Sequence, residues 1–420
     1  MTDLSASPGG ASRILRAKWI LPIDRPPLAD GWIEIAAGRI RRLGSHAAPG
    51  PAEDLGRVAI LPGLVNAHTH LELSWMAGRV PPADSMDDWI RGIVRLRRAG
   101  GPGAEIERQA ALDAAKAMRA TGTALVGDIS NALTTPAVIR EAGLDGVVFY
   151  ELIGFSTPDP ERVVRDAWAR ARAAEPLLAG AERPTPPRVG VVAHAPYSVS
   201  PELFREIARV ARGGAPLAVH LGESPEEIEF LRTGRGPIRA TLESLGVWSP
   251  AWSVPGCDPV RYMAELGYLQ PAMLAVHAVH VTDDGLERLR DAGAYVVSCP
   301  RSNLWVGVGP PRLSHFYAAD VPVAFGTDSL ASSPSLNLFD ELAEARRLAP
   351  DVEAGCLLES ATRVGAEALG FGDTHGTLAP GRAASLVVVD LPAGVTDVEE
   401  YLVTGVPPAS VRPLERHPAA

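Results

Sequence analysis

The chain has 420 residues, a formal net charge of -10, 46% hydrophobic and 21% charged residues. That is the balance of a globular protein large enough for one big barrel and a small accessory domain. The acidic charge argues against nucleic acid or an anionic membrane as partner, and no stretch reads as a membrane span or a secretory signal.

In chain order, "MTDLSASPGGAS" is polar and small and is expected to be a frayed end. "RILRAKWILP" and "GWIEIAAGRIRRLGS" read as strands of a small sheet, and Leu386–Val389 adds a strand after a Pro-Gly turn near the other end. Residues 12–60 and 376–412 are therefore expected to form one small β-sandwich domain around a central domain of residues 61–375. In that centre, short apolar runs recur at "GLVNA", "GTALVGD", "GVVFYEL", "RVGVVAH", "PLAVH", "MLAVH", "AYVVS" and "VPVAFGTD". Segments of helical periodicity such as "EIERQAALDAAKAMRA" separate most of them. Eight strands alternating with helices predict an α/β fold of the (β/α)8 TIM barrel type. A doubly wound sheet would usually carry a Gly-rich phosphate loop after its first strand, and none is present. "LLAGAERPTPP" and the stretch around 248–259 read as loops; the second follows strand five, in place to cover the barrel mouth. Cys257, Cys299 and Cys356 are scattered, as free thiols of a cytoplasmic protein would be.

Barrel chemistry sits at the C-terminal ends of the strands. His68 and His70 end strand one, His194 strand four, His220 strand five, His277 strand six and Asp328 strand eight. Residues two apart on a strand share a face, so His68 and His70 can chelate a cation; two ordinary loop histidines would look the same. Five strand-end histidines and an aspartate favour the metal. His68, His70, His220 and Asp328 suit one divalent ion, zinc with ferrous iron as the alternative. A two-metal centre commonly needs a carboxylated lysine on strand four. The two lysines, Lys18 and Lys116, lie elsewhere, and His194 stands in that place.

Glu223, three residues after His220, is placed to carry a proton between water and substrate. The bland alternative groups it with Glu226 and Glu227 as the acidic first turn of the next helix. His277 and His280 are an odd number apart, so one alone enters the site. His277 directly ends the apolar run and is expected to support the attacking water or the developing anion. His280 is left to the mouth or to structure, and His46, His315, His375 and His417 are assigned nothing.

Together, "PGLVNAHTHLELS", "AHAPYSVSPEL", "HLGESPEE", "AVHAVHVTDD", "SCPRSN" and "FGTDSLASSPSLNLFDE" resemble the amidohydrolase superfamily over residues 12–412. The resemblance is to its mononuclear branch of cytosine-deaminase-like and triazine-hydrolase-like enzymes. It implies a hydrolase of carbon–nitrogen bonds with metal on His68, His70, His220 and Asp328. It also implies Glu223 as proton shuttle, and His277 with Asp328 orienting the nucleophile. His194 is then a substrate contact, and Glu72, Arg301 and Asn303 are purine or ribose contacts; Glu72 can equally hold a histidine in place. Ser385 departs from the aspartate usual in the family, within the small domain. "HTHLELS", "CPRSN" followed by "GVG", and "GTDSLASSPSLNLFDE" are most similar to 6-aminodeoxyfutalosine deaminases of the alternative menaquinone pathway. The implied substrate is a small molecule, a 6-aminopurine nucleoside that loses ammonia. A carboxylated substrate would want a cation at the mouth, expected from Arg301 or the arginines of "LRTGRGPIR". Deaminases of S-adenosylhomocysteine, adenosine, guanine or cytosine, and triazine or cyclic-amide hydrolases, are alternatives on this scaffold; an inactive scaffold ranks last. A homodimer is compatible with the sequence.

Overall fold

The computed structural model describes residues 12–178, 188–211 and 215–414. The start of the polar N-terminal stretch, most of "LLAGAERPTPP" and His417 lie outside the described residues. Eight barrel strands follow the eight apolar runs: β1 (Leu64–Thr69), β2 (Thr123–Ser130), β3 (Asp145–Leu152), β4 (Arg188–Ala193), β5 (Ala218–Leu221), β6 (Leu274–His277), β7 (Tyr295–Ser298) and β8 (Val323–Phe325). They are buried along nearly their whole length, and parallel strands buried on both faces read as unbroken apolar runs. Val65, Leu125, Phe149, Val192, Ala218, Val276, Val297 and Ala324, one from each strand, meet in a single cluster inside the barrel. Burying each of the larger ones contributes about 1.5–3 kcal/mol.

The barrel is assembled as two parallel four-stranded sheets, β1–β4 and β5–β8. Two seams close it. At one, the amides of Thr327 and Asp328 donate to the His68 carbonyl at 3.0 and 3.1 Å, and Thr69 bridges Asp328. At the other, the His220 amide donates to the His194 carbonyl at 2.9 Å. Tyr268 spans the same gap: its hydroxyl accepts from the Ala193 amide at 2.9 Å and donates to the Ala218 carbonyl at 3.0 Å. The strand-end histidines thus belong to the closure of the barrel itself.

Helices between the strands start on strong local signals. Helix Pro201–Val210 opens on Ser200, whose hydroxyl accepts from the Leu203 amide, with proline in the first turn, and it buries Leu203, Phe204, Ile207 and Ala208. Five strands from the front of the chain join Leu386–Asp390 and Val411–Pro413 in a seven-stranded sheet. Val58–Pro62 pairs antiparallel with Leu386–Asp390. The far edge strand, Arg39–Ser45, returns to residues 381–384 through the Gly381 amide on the Ile40 carbonyl at 2.8 Å and an Arg39–Ala383 bridge. The sheet so folds over a core of Leu15, Ile33, Ile60, Leu378 and Val388, giving the β-sandwich from both chain ends. Ser385 joins it to the barrel, its carbonyl accepting from the Gly63 amide at 2.8 Å. The three cysteines are free thiols. Among the described residues no helix is long and apolar enough to cross a membrane.

Candidate active site

His68 is the penultimate residue of β1 and His70 lies just past the strand, and their Nε2 atoms come within 3.2 Å of each other. Asp328 Oδ1 lies 3.4 Å from His70 Nε2 and 3.7 Å from His68 Nε2. The ligand atoms of His68, His70 and His220 fall within 4.8 Å of one another. Three neighbours fix how these groups face. Ser302 and Ser332 donate to Asp328 Oδ2 at 2.5 and 2.8 Å, leaving Oδ1 to the histidines. His220 Nδ1 lies 3.0 Å from the His194 carbonyl; donating its proton there leaves Nε2 as a bare donor atom. Asp328 sits three residues beyond β8 at φ 55°, a left-handed conformation costly for a side-chain residue and common at working sites.

The electrostatics fit a cation. Burial, with His68, His194 and His277 close by, holds His70 down at about 3. Burial and the surrounding imidazoles likewise hold His220 well below its ordinary value. Burial alone would raise Asp328. The proximity of His68, His70 and His277 outweighs it and holds the Asp328 carboxyl well below its ordinary value. Neutral imidazoles and an anionic carboxylate converging on one volume are a donor set for a divalent ion. A second set, Glu151, His194 and His220, also gathers three ligand atoms and shares His220 with the first. Lys18 pairs with Asp30 in the small sheet and Lys116 lies in helix Ala104–Ala120, both away from strand four.

Glu223 is buried between β5 and helix Pro225–Thr233 and stands outside the helix, which opens on Ser224. Glu226 and Glu227 form the acidic first turn without it. Gly222 makes the turn at φ 59°, where a Cβ would meet Val281 at 2.7 Å. Glu227 pins it, accepting from the Gly222 and Glu223 amides at 2.9 and 3.0 Å. Burial, reinforced by Asp328 and Glu227, pushes the Glu223 carboxyl well up. His277 Nε2 is 3.5 Å from Glu223 Oε1, while its Nδ1 meets Asn303 Oδ1 at 2.9 Å. Burial brings His277 down to about 4.

A cavity of about 450 Å³ opens from His70, His220, Glu223, His277 and Asp328. His194 lines it, its Nδ1 2.6 Å from Ser198 Oγ. The other three expected substrate contacts fall outside the lining. Glu72 turns both carboxylate oxygens to the 130–134 loop, accepting from Ser130, the Asn131 amide at 2.8 Å and Thr134 Oγ1 at 2.9 Å, with no histidine among these partners. Arg301 reaches Ser335 Oγ at 3.0 Å and Asp340 at 3.4 Å. Asn303 faces His277. His280 lies beyond β6 and its Nε2 donates to the Val308 carbonyl at 2.9 Å.

Of the stretch expected over the mouth, Val247 lines the cavity while residues 248–259 fall outside its lining. Trp248 stacks on Phe155 at 5.6 Å and Trp252 on Phe230 at 4.7 Å, which anchors the loop in the core. The cavity is walled instead by Pro237–Ser244 and by helix Met86–Arg98, which the sequence reading missed. The apolar spacing of Met86, Trp89, Ile90 and Ile93 was the signal for that helix. Glu151 was missed too. It is the penultimate residue of β3, lines the cavity, lies 3.5 Å from His220 Nδ1 and accepts from Asn131 Nδ2 at 2.9 Å.

The C-terminal mouth of the barrel gathers His68, His70 and His220 close enough to hold a metal ion, an architecture suited to a metal-dependent hydrolase. The chain belongs to the amidohydrolase family, whose sequence profile matches residues 59–412. It is 36% identical over 340 residues to an aminodeoxyfutalosine deaminase of Deinococcus radiodurans, covering 79% of this chain and 77% of that one. It is 30% identical over 382 residues to a 5-methylthioadenosine/S-adenosylhomocysteine deaminase of Halobacterium salinarum, covering 89% and 83%. Among solved structures it is similar to an adenosine deaminase from Xanthomonas campestris with bound zinc, with a TM-score of 0.80 and 25% identity over 97% of this chain and 93% of that one. The chain is a hydrolase acting on carbon–nitrogen bonds.

Proposed function

We propose that this chain deaminates a 6-aminopurine nucleoside by hydrolysis, with 6-aminodeoxyfutalosine, an intermediate on a route to menaquinone, as its substrate. One observation carries the reaction: Glu223, a buried proton acceptor, opens into the same cavity as the convergent donor set and His277. The deaminase relative at 36% identity supports the substrate. In this reading the chemistry belongs to the barrel at residues 61–375, while residues 12–60 and 376–412 form the accessory domain.

His68, His70, His220 and Asp328 would hold one divalent cation, zinc or ferrous iron. Such an ion, when bound, makes water acidic enough to act as a nucleophile near neutral pH. Glu223 takes the proton that water releases and delivers it to the ring nitrogen next to the amine-bearing carbon. The new C–O bond forms at that carbon, the hydroxyl's remaining proton passes through Glu223 to the amine, the C–N bond breaks, and ammonia leaves. His277, its Nδ1–H held by Asn303 Oδ1, presents the bare Nε2 as a hydrogen-bond acceptor to the attacking water. His194 contacts the substrate from the end of β4.

The relatives acting on 5-methylthioadenosine and S-adenosylhomocysteine favour a second reading, a deaminase of those nucleosides. Ammonia release from 6-aminodeoxyfutalosine, adenosine, S-adenosylhomocysteine, guanine and cytosine separates the two. Preference for any of the last four by tenfold or more in kcat/KM, about 1.4 kcal/mol in transition-state binding, would sink the substrate assignment. An inert panel beside active chlorotriazine or cyclic-amide hydrolysis would sink the deaminase reading.

A further inference from the structure

The outer part of the cavity has a composition that a bare nucleoside does not match. Ile90 and Ile93 from helix Met86–Arg98 face Ile153, Ile238, Leu245 and Val247 around it. Three of these are open to solvent, with Ile153 60%, Leu245 50% and Val247 36% exposed. Apolar side chains left uncovered around a concave mouth mark a surface that gains by being covered. Ribose hydroxyls gain nothing there; a flat or branched apolar group does.

The same helix adds a charge. Met86, Ile90, Ile93 and Arg97 follow one another at helical spacing along its cavity-facing stripe, so an apolar row ends in a guanidinium. Arg97 is the one lysine or arginine among the lining residues. Among the described residues its side chain makes no ion pair or hydrogen bond, whereas Asp87 on the same wall is paired with Arg91 at 2.7 Å. The arginines expected to serve are committed elsewhere or lie off the lining. Arg301 clasps Ser335 and Asp340, Arg239 bonds Glu243 at 2.7 Å and lies over Trp248, and Arg232 and Arg235 do not reach the cavity.

We propose that Arg97 is the specificity-determining residue of this site: it binds a carboxylate at the far end of a substrate appendage whose apolar body lies against the isoleucine-rich rim. This inference rests on the 6-aminopurine deaminase reading and names the part of the substrate beyond the ribose. A guanidinium pairs with a carboxylate through two parallel N–H donors, which gives direction as well as attraction.

The test compares 6-aminodeoxyfutalosine with its carboxyl methyl ester, which keeps the shape and removes the charge. The readout is the ratio of kcat/KM for the acid to that for the ester, in the wild type and in Arg97→Met, Arg97→Lys and Arg95→Met. Arg97→Met should lower the ratio at least about fivefold, the upper end for an exposed ion pair, through a higher KM for the acid. Arg97→Lys should restore most of it. Arg95→Met, which removes a charge from the same helix off the cavity lining, should leave the ratio as in the wild type. A smaller fall in Arg97→Met, or an equal fall in Arg95→Met, overturns the assignment of Arg97 alone. A wild type that deaminates neither compound overturns the substrate reading and this inference together.

Discussion

Tyr268 offers a sharp test of how the barrel holds together. It is fully buried, and its hydroxyl is the rivet between β4 and β5, one bond to Ala193 and one to Ala218. Burial drives the phenol well up, so it remains a donor at any working pH. Tyr268→Phe keeps the ring against Phe204, 4.9 Å away, and removes only the oxygen. A buried amide and a buried carbonyl then lose their partner, each at a cost of about 1–3 kcal/mol. Together the loss should be about 2–6 kcal/mol, which for a chain of this size lowers the melting temperature by roughly 2–7 °C. Thermal and urea unfolding followed by circular dichroism reads it directly. Because His194 and His220 follow the riveted residues within two positions, kcat/KM should fall as well. A variant that melts within about 0.5 °C of the wild type would refute the hydroxyl as a structural tie.

Glu223→Gln keeps the size of the side chain and removes the base; turnover should drop at least about a hundredfold while metal analysis still gives one ion per chain. Activity within a few-fold of the wild type would move the proton transfer to His277, and a reproducible ratio of two ions would end the mononuclear assignment. Asn303→Ala frees His277 Nδ1 and should lower kcat about tenfold with little change in KM; an unchanged kcat would make Asn303 a packing residue. Asp128 is pushed up to about 8, chiefly by burial. Its folded form therefore keeps a proton that the unfolded chain releases near 3.8, and native stability falls as pH rises from there through about 8. Asp128→Asn keeps the acceptor for the Leu71 amide at 2.9 Å and should lose less urea resistance between about pH 5 and about pH 8; equal losses would refute the titration.

The barrel strands were legible because each is a short apolar run closed by a polar residue at the end where chemistry happens. His68, His70, His220, His277 and Asp328 stand at such ends, so the topology gathers them whatever the intervening helices do. Glu151 closes its run in the same way, but a lone glutamate after an apolar strand carries no spacing signal, and its partner His220 lies on another strand. Helix Met86–Arg98 escaped because Asp87, Asp88, Arg91, Arg95, Arg97 and Arg98 break up its apolar stripe in sequence, although Met86, Trp89, Ile93 and Leu96 pack against small apolar clusters. Glu72, Arg301 and Asn303 show a different limit. Each sits beside a site motif in sequence, and nearness along the chain does not fix where a side chain points. A 3-10 turn sends Glu72 to the 130–134 loop, and the helix from Pro300 swings Arg301 to Asp340 and leaves Asn303 behind His277.

The two-sheet construction of the barrel has a consequence for the cell that makes it. Of the four proposed ligands, His68 and His70 belong to one half, and His220 and Asp328 to the other. An ion held by all four bolts the halves to each other, so its affinity for the native chain adds directly to resistance against unfolding. With such an ion in place, its supply would set how much protein survives proteolysis and aggregation, and a cell starved of it would lose the polypeptide along with the activity.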